Sequence, residues 1–268
     1  FYFEKDYRSG RYPGLEMGSR EIFFGTNKGI GDSYSRHFQK ISQILVNDPK
    51  FGSTEGAMFI QAILPDAVRG IKLVSRVPLI QKAYLAGGTA LALQLGHRIS
   101  EDLDFFTTQE FDEQQLLVEL SGLGLVRESV GWRTIIGIIN ETKFSIFYYK
   151  YPLLSETLEF EGIKLASKRD IAAMKILAME DRGVKRDFID LFFLAKEFSV
   201  DQMLGYYDEK YGVLDERILH IVKSMGYFDD ADNDDWKPEM IKNVDWEKVK
   251  KFFETEAKRL ARERLGIK

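Results

Sequence analysis

The segment 84–106 constrains the fold of this chain more than any other part of the sequence. The apolar run 83–86 predicts a short strand that leads directly into Gly87 and Gly88. Apolar residues at helical spacing predict a short helix over 89–95. A second strand is predicted at 103–106, where apolar and aromatic residues alternate with acidic ones. The core of the chain must therefore combine strands and helices, with a tight turn between the first strand and its helix.

The Gly87-Gly88 turn favours an anion-binding site at the start of the predicted helix. Glycine lets the backbone approach a ligand closely, because it has no side chain. The helix directs its N-terminal amides and the positive end of its dipole toward this turn, and Thr89 adds a hydroxyl. These features suit a phosphate group. A Gly-Gly pair that only turns the chain is the alternative that the turn alone leaves open.

Asp102 and Asp104 predict a metal site beside this turn. They are two residues apart at the start of a strand, so both carboxylates point to one face of the sheet. Neighbouring carboxylates repel each other unless a cation lies between them, and Mg²⁺ binds one or two carboxylates together with substrate phosphates. Such metals hold the attacking and leaving oxygens in nucleotidyl transfer. Aspartates with this spacing are common on surfaces, but their position shortly after a Gly-Gly helix start favours the metal site.

The stretch from Gly87 through His97-Arg98 to Phe106 resembles the first motif of the AbiEii/AbiGii toxin family. This family belongs to the DNA polymerase β-like nucleotidyltransferases, and the resemblance runs from about residue 58 to about residue 198. It implies an enzyme of a toxin–antitoxin or abortive-infection system, which transfers NMP from an NTP to an acceptor such as tRNA. It also implies Mg²⁺ as a cofactor and an antitoxin protein as a partner.

The resemblance also implies roles for individual residues. Those predicted for nucleotide binding are Gly87, Gly88, Thr89 and Arg98, and those predicted for catalysis are Asp102, Asp104, Lys175 and Asp187, of which the first two also bind the metal. A structural pair that holds the turn by hydrogen bonds is the alternative for His97 and Arg98. A buried salt bridge between two helices is the alternative for Lys175 and Asp187, because a lysine in an apolar helix stripe needs an anion. Asp190 shares a helix face with Asp187.

Position 145 departs from the family pattern. Polymerase-β-like enzymes place a third carboxylate on a following strand, and the family's Lys-x-Asp motif matches Lys143 to Ser145 here. Serine is a poor Mg²⁺ ligand and cannot act as general base for a hydroxyl nucleophile. Three explanations are open: another carboxylate takes this place, the enzyme is weakened or inactive, or the substitution was introduced.

Two alternative functions remain open for the chain. One is a catalytically weakened NTP-binding module of the same fold, and the other is a structural protein in which the aspartate pair is incidental.

The predicted elements divide the chain into three parts. Residues 1–56 form an N-terminal extension or fusion segment of unknown role, with one helical stretch near 35–47. Residues 57–166 form the nucleotidyltransferase core, with a helix predicted over 64–76 and further strands at 124–130, 133–140, 143–150 and 157–165. Residues 167–268 form a C-terminal helical domain, with helices predicted at 168–182, 186–198, 213–225 and 246–263. The acidic stretch 229–235 is expected to be a solvated loop. The expected fold class is α+β, with a small mixed β-sheet of nucleotidyltransferase type flanked by helices and followed by a helical bundle.

Composition limits the remaining classes of protein. No apolar run approaches the roughly 18 residues of a membrane helix, and the chain has no cysteine for disulfides or thiolate metal sites. A cytoplasmic protein is therefore expected. The formal net charge of −4 argues against a basic nucleic-acid-binding surface over the whole chain. Basic residues are nevertheless concentrated at 164–186 and 247–264, where contact with a phosphate backbone competes with an ordinary solvated helix face of mixed charge.

Overall fold

Seven short strands form one mixed sheet within the described residues, which are 58–234 and 237–267 of a computed structural model. The strands are β1 (Tyr84–Leu85), β2 (Leu103–Thr107), β3 (Val126–Gly131), β4 (Thr134–Ile139), β5 (Thr142–Tyr148), β6 (Leu158–Phe160) and β7 (Ile163–Leu165). Their order is β3-β4-β5-β2-β1-β7-β6. β2 is parallel to β5 and β1 is parallel to β7, whereas the other neighbours are antiparallel. The segment predicted over 1–56, including its helical stretch, lies outside the described residues.

Tight turns join the outer strands, because residues with positive φ angles reverse the chain there. Asn140 and Glu141 have φ angles of 48° and 62° between β4 and β5. Glu161 and Gly162 have φ angles of 47° and 80° between β6 and β7. Consecutive positive φ angles match the twist of the strands that they connect. The second turn divides the single strand that the sequence indicates over 157–165 into the hairpin β6–β7.

Ten α-helices in the described part flank and follow the sheet. They are α1 (Pro65–Val74), α2 (Pro78–Lys82), α3 (Gly87–Leu95), α4 (Glu113–Gly122), α5 (Lys168–Asp181), α6 (Lys185–Leu194), α7 (Val200–Tyr211), α8 (Leu214–Met225), α9 (Asp229–Asp232) and α10 (Trp246–Leu265). Every element after β7 is helical, so the α+β class with a C-terminal bundle is confirmed. None of these helices combines the length and the apolar character needed to cross a membrane.

Two details of the helical half differ from the sequence prediction. The prediction omits α7, although Ser199 and Gln202 form a reciprocal capping box at its start. The acidic stretch 229–235, expected to be a solvated loop, contains the short helix α9, and Asp232 accepts a hydrogen bond of 2.6 Å from the Trp246 ring. Local capping and contacts between helices therefore order residues whose polarity suggests a loop.

The two faces of the sheet differ in what covers them. Leu103 and Phe105 of β2 have no exposed surface, and Leu103 packs against α1, where a Cβ on Gly70 would lie 3.2 Å from its Cδ1. Side chains alternate along a strand, so Asp104 projects from the opposite face. Ser145 is the register partner of Asp104 on β5 and shares that face. The carboxylate is half-buried, which leaves this face of the sheet accessible near Asp104.

Candidate active site

The Gly87 turn lies directly against the carboxylate of Asp104. Gly87 is the first residue of α3, and its φ of 66° is a left-handed conformation that favours glycine. A Cβ at this position would lie 3.4 Å from Asp104 Oδ2. The backbone amide of Ala86 donates to the Asp104 carbonyl over 3.0 Å, which joins the turn to β2. The predicted phosphate-binding turn and one predicted metal ligand are therefore neighbours.

Asp102 directly precedes β2, and its carboxylate interacts with that of Asp104. Both residues are half-buried. Burial and then the negative charge of Asp104 raise the pKa of Asp102 above its ordinary value, whereas Lys143, Arg186 and Arg98 act in the opposite direction. The three cations do not fully offset burial and repulsion. The structure thus brings the two predicted metal ligands together in an arrangement that disfavours two negative charges without a further cation.

Ser145 stands beside Asp104 at the position where a third carboxylate is expected. The two residues are register partners on the parallel strands β5 and β2. The buried Ser145 hydroxyl donates a hydrogen bond to the Asp104 carboxylate. Within residues 58–234 and 237–267 there is no group of three or more His, Cys, Asp or Glu residues arranged to hold a metal ion. A metal at this site would therefore take its protein ligands from the aspartate pair and its remaining ligands from substrate or water.

Thr89 ties the start of α3 to the segment that leads into β2. Its side chain is buried, and its hydroxyl donates to the carbonyl oxygen of Asp102. The Thr89 and Ser100 hydroxyl oxygens are 2.9 Å apart. Because the carbonyl can only accept, the Thr89 proton points to Asp102, and Ser100 is the donor to Thr89. The observed role of Thr89 is to position Asp102, and its contact with a triphosphate stays a prediction.

Gly88 is the point where the turn meets Arg98. A Cβ on Gly88 would collide with the Arg98 guanidinium. Arg98 is buried and donates two hydrogen bonds to Asp190, over 2.7 and 2.9 Å, and a third of 3.0 Å to the Ile99 carbonyl. These contacts correspond to the structural interpretation of the His97-Arg98 pair. A direct contact between Arg98 and phosphate stays a prediction.

Arg98 and four other charged side chains form an ionic hub: Lys175, Arg182, Asp187 and Asp190. Lys175 Nζ lies 2.9 Å from Asp187 Oδ1 and 2.7 Å from Asp190 Oδ2. Arg182 donates to Asp187 over 2.8 and 3.1 Å. Although burial opposes ionisation, Arg98 and Lys175 hold the pKa of Asp190 well below its ordinary range. Lys175 and Arg182 likewise lower the pKa of buried Asp187.

His97 adds a neutral donor to this hub. Its Nε2 lies 2.8 Å from Asp190 Oδ1. Burial lowers the pKa of His97 below its ordinary value, so the imidazole is uncharged at neutral pH. Nε2 therefore carries the single proton and donates it to the carboxylate. The hub therefore contains three cations, two anions and this neutral donor.

The hub also shows what sequence reasoning missed. Lys175 and Asp187 contact each other, as the salt-bridge alternative expects, and their predicted catalytic role stays a prediction. Asp190 is the central acceptor; in the sequence it is indicated by its helical spacing from Asp187 and by the family's Arg-Asp-x-x-Asp motif at 186–190, but neither predicts its partners. The segment 239–241 runs beside the active-site loop, since Ile99 N donates to Glu239 O over 2.8 Å. No local pattern in the sequence indicates that pairing.

The chain matches a known protein family over more than half of its length. The family model described as nucleotidyl transferase AbiEii toxin, type IV toxin–antitoxin system, matches residues 72–128 and 148–262. The chain belongs to this family. It is accordingly an enzyme of nucleotidyltransferase type, from a toxin family of toxin–antitoxin systems, and its mixed sheet with flanking helices is the nucleotidyltransferase fold. The unmatched interval 129–147 contains Ser145, so the departure from the family motif lies in the part of the core that the family pattern does not cover.

Individual relatives of this AbiEii protein are similar over most of their own length. The uncharacterized protein aq_aa25 of Aquifex aeolicus (strain VF5) is 40% identical over 184 residues, which cover 65% of this chain and 86% of the relative. The nucleotidyltransferase toxin MenT4 of Mycobacterium tuberculosis H37Rv is similar in structure with a TM-score of 0.48 and 19% identity, over 75% of this chain and 89% of that one. JHP933 of Helicobacter pylori gives a TM-score of 0.42 and 20% identity, over 76% and 95% of the two chains.

Proposed function

We propose that this AbiEii protein transfers NMP from an Mg²⁺-bound NTP to an acceptor such as tRNA, with pyrophosphate as the leaving group. The observation that carries the proposal is the contact between the Gly87 turn and the Asp104 carboxylate, with Asp102 beside it. In this proposal the turn binds the triphosphate and the aspartate pair binds its metal, and their contact supports such an arrangement. An antitoxin that restrains the enzyme is the partner we infer from the family.

Asp102 and Asp104 fit a divalent metal by their chemistry. Their oxygen donors suit Mg²⁺, and the raised pKa of Asp102 reflects burial and then repulsion by Asp104, which a bound cation would relieve. When bound, the metal would neutralise charge that develops on the phosphoryl oxygens. Lys143 and Arg186 add positive charge near Asp102 and favour the binding of an anionic substrate.

The turn and the hub act together on the triphosphate in this proposal. Gly87 and Gly88 start α3, a helix of nine residues, whose first amides and dipole favour phosphate oxygens. The Arg98 guanidinium lies against Gly88, and its positive charge supports the same preference. Arg98, Lys175 and Asp187 then act as positioning residues. Lys175 contacts Asp187 and Asp190, and Asp190 holds the Arg98 guanidinium that lies against Gly88.

The test is transfer of label from each α-labelled NTP to total tRNA in the presence of Mg²⁺. We expect Asp104→Asn to lower transfer by at least about 100-fold, as when a group that stabilises transition-state charge is removed. The exposed Asp230, on α9, provides the matched control, and Asp230→Asn should keep full activity. If a pure preparation supplied with all four NTPs, total RNA and cell extract labels no acceptor, nucleotidyl transfer is excluded for this chain.

A second candidate function is NTP binding without turnover. It is favoured by the Ser145 hydroxyl, which occupies the place of the third carboxylate and donates to Asp104. In this case Mg²⁺ and NTP raise the melting temperature but no label is transferred. Ser145→Asp should then produce transfer, whereas Ser145→Ala should not. Equal behaviour of these two variants would show that serine is not the cause of low activity.

A further inference from the structure

A cavity of about 440 Å³ opens on the same face of the sheet as Asp104. Its lining residues are Lys82, Tyr84, Leu153, Ser155, Glu156, Thr157 and Lys164. Tyr84 of β1 is the register partner of both Phe106 of β2 and Lys164 of β7. Phe106 follows Asp104 by two residues, so all four side chains project from one face. The cavity is therefore beside the candidate active site and does not include its aspartates.

The cavity contains two lysines whose charges are available. Neither Lys82 nor Lys164 forms an ion pair with any residue in 58–234 or 237–267, and both are at least partly exposed. The basic stretch 164–186 begins with Lys164, and several of its other members are paired with carboxylates: Lys168, Arg169, Lys175 and Arg182. Glu159 is the register partner of Lys164 on β6 but forms no ion pair with it within the described residues, so the Lys164 ammonium can still bind an external anion.

The polar groups of the wall are also donors. The Tyr84 hydroxyl is buried and has no hydrogen-bond partner among the described residues. Burial and then the charge of Asp170 raise the pKa of Tyr84 well above its ordinary value, so the hydroxyl keeps its proton. Ser155 and Thr157 add hydroxyls to the lining. A buried donor without an acceptor is unfavourable, and an anionic oxygen would satisfy it.

The position of the cavity suits the acceptor strand. β7 lies two strands from β2, and Lys164 is displaced by two residues along the sheet from Asp104. Standard strand spacing and rise put their Cα atoms about 12 Å apart. Phe106 and Tyr84, which lie between the two positions, are buried, so a nucleic-acid strand whose end is at Asp104 would reach the cavity over the residues that cover this part of the sheet. Basic grooves hold single strands by their backbone.

We propose that this cavity binds a backbone phosphate of the acceptor RNA close to the hydroxyl that receives the nucleotide. The inference rests on the proposed function, since it assigns the acceptor side of the same site. Lys82 and Lys164 supply the charge, and the hydroxyls of the wall supply hydrogen bonds. Glu156 also lines the cavity and is exposed. Its negative charge repels a phosphate, so its removal should strengthen RNA binding, opposite to the effect of removing the lysines.

The experiment measures RNA binding directly, with the full chain, fluorescently labelled tRNA and no NTP. We expect the double variant Lys82→Ala/Lys164→Ala to raise Kd about tenfold and to lower the exponent of its salt dependence by about 1 to 1.5. The control Lys223→Ala/Lys237→Ala changes two exposed lysines outside both basic stretches and should leave both quantities nearly unchanged. Lys82→Arg/Lys164→Arg should keep tight binding, and Glu156→Gln should lower Kd. Thermal unfolding verifies that each variant is folded.

Several outcomes separate the two proposals. If both alanine double variants lose the same affinity, or if tRNA binding is unchanged while inorganic phosphate binding is lost, the cavity is not the RNA subsite. If the cavity variant loses stabilisation by Mg²⁺ and NTP, the cavity holds the triphosphate and the inference is wrong. Transfer with an unaltered KM for tRNA in that variant overturns the inference and leaves the enzyme intact. Lysine-dependent RNA binding without any transfer supports the inference and refutes the proposed function.

Discussion

The Asp102/Asp104 pair and the Asp187/Asp190 pair have the same chemistry but opposite electrostatic environments. Burial and mutual repulsion raise the pKa of Asp102. In the second pair, cations at hydrogen-bond distance lower the pKa of both aspartates despite complete burial. The first pair is half-buried beside a glycine turn, whereas the second is enclosed between α5 and α6. The protein therefore satisfies the charges of the second pair, whereas the raised pKa of Asp102 is what we expect of a pair that binds a cation.

This difference separates a structural role from a functional one. A buried carboxylate that is fully paired stabilises the positions of its partners, and removing it leaves them uncompensated. Two carboxylates that repel each other reduce stability, and the usual reason to retain them is a ligand. Gly88 and Arg98 connect the two environments, because the guanidinium held by Asp190 lies against the turn next to Asp104. The hub thus fixes the position of the Arg98 guanidinium, which lies against the glycine turn beside Asp102 and Asp104.

The largest expected effect is the loss of the hub's central acceptor. Asp190→Ala should lower the free energy of unfolding by about 3–5 kcal/mol, because Arg98 and Lys175 are left buried with fewer anionic partners. Urea denaturation measures this change. The folded-state pKa of Asp190 is lowered, so its contribution is present above the ordinary aspartate pKa and is lost as the pH falls through the lowered value. The variant should consequently be less sensitive to acid than the parent protein.

A matched variant tests whether the hub acts on the turn. Asp170 is buried and bound to Lys210 at 2.9 Å, outside the hub. Asp170→Ala should also destabilise the fold but should leave stabilisation by Mg²⁺ and NTP unchanged. Asp190→Ala should reduce that stabilisation. Equal reductions in the two variants would show that the hub has no specific connection with the site.

The next effect is at the contact between the two environments. Gly88→Ala should cost about 1–3 kcal/mol, because the added Cβ overlaps a guanidinium that Asp190 holds in place. In an Asp190→Ala background the guanidinium can move, so the same substitution should cost less, and a double-mutant cycle measures this coupling. Gly205→Ala, at an exposed helical glycine with open space around it, should instead stabilise the protein by about 0.5–1 kcal/mol. Strict additivity of the unfolding free energies of Gly88→Ala and Asp190→Ala would contradict the proposed connection.

The sequence contains the acidic pair and its turn as a local pattern, which is why both could be predicted. Gly87 and Asp104 lie within one strand–helix–strand unit, and alternation along β2 sets the direction of the carboxylate. The hub depends on residues far apart in the chain, since Arg98 and Asp190 are 92 positions apart. Spacing and propensity carry no information about such a contact. The family resemblance named Lys175 and Asp187, but only the fold shows that their charges face each other.

The secondary structure shows the same contrast: elements that depend on nearby residues could be predicted from the sequence, and pairings between remote segments could not. The helix α1 and the hairpin strands β4 and β5 agree with their sequence patterns, because periodicity and turn residues determine them. Helix α7 also had a local signal in its capping box, which the apolar pattern alone did not reveal. By contrast, the pairing of Glu239 with Ile99 joins segments with no related pattern. Long-range packing therefore explains most of what the sequence left unpredicted in the site.

The smallest effect, and the one opposite in sign, is expected at the acidic pair itself. Asp102→Asn should raise the free energy of unfolding at neutral pH by about 0.5–1 kcal/mol, the size of an exposed charge interaction, while nucleotidyl transfer is lost. The folded-state pKa of Asp102 is raised, so its contribution is fully present below the ordinary aspartate pKa and is lost as the pH rises through the raised value. The gain should therefore appear at neutral pH and vanish in acid, in urea titrations at both pH values. Asp230→Asn controls for a general charge effect. A loss of stability on Asp102→Asn at neutral pH would mean that this carboxylate, like those of the hub, is already satisfied by the protein.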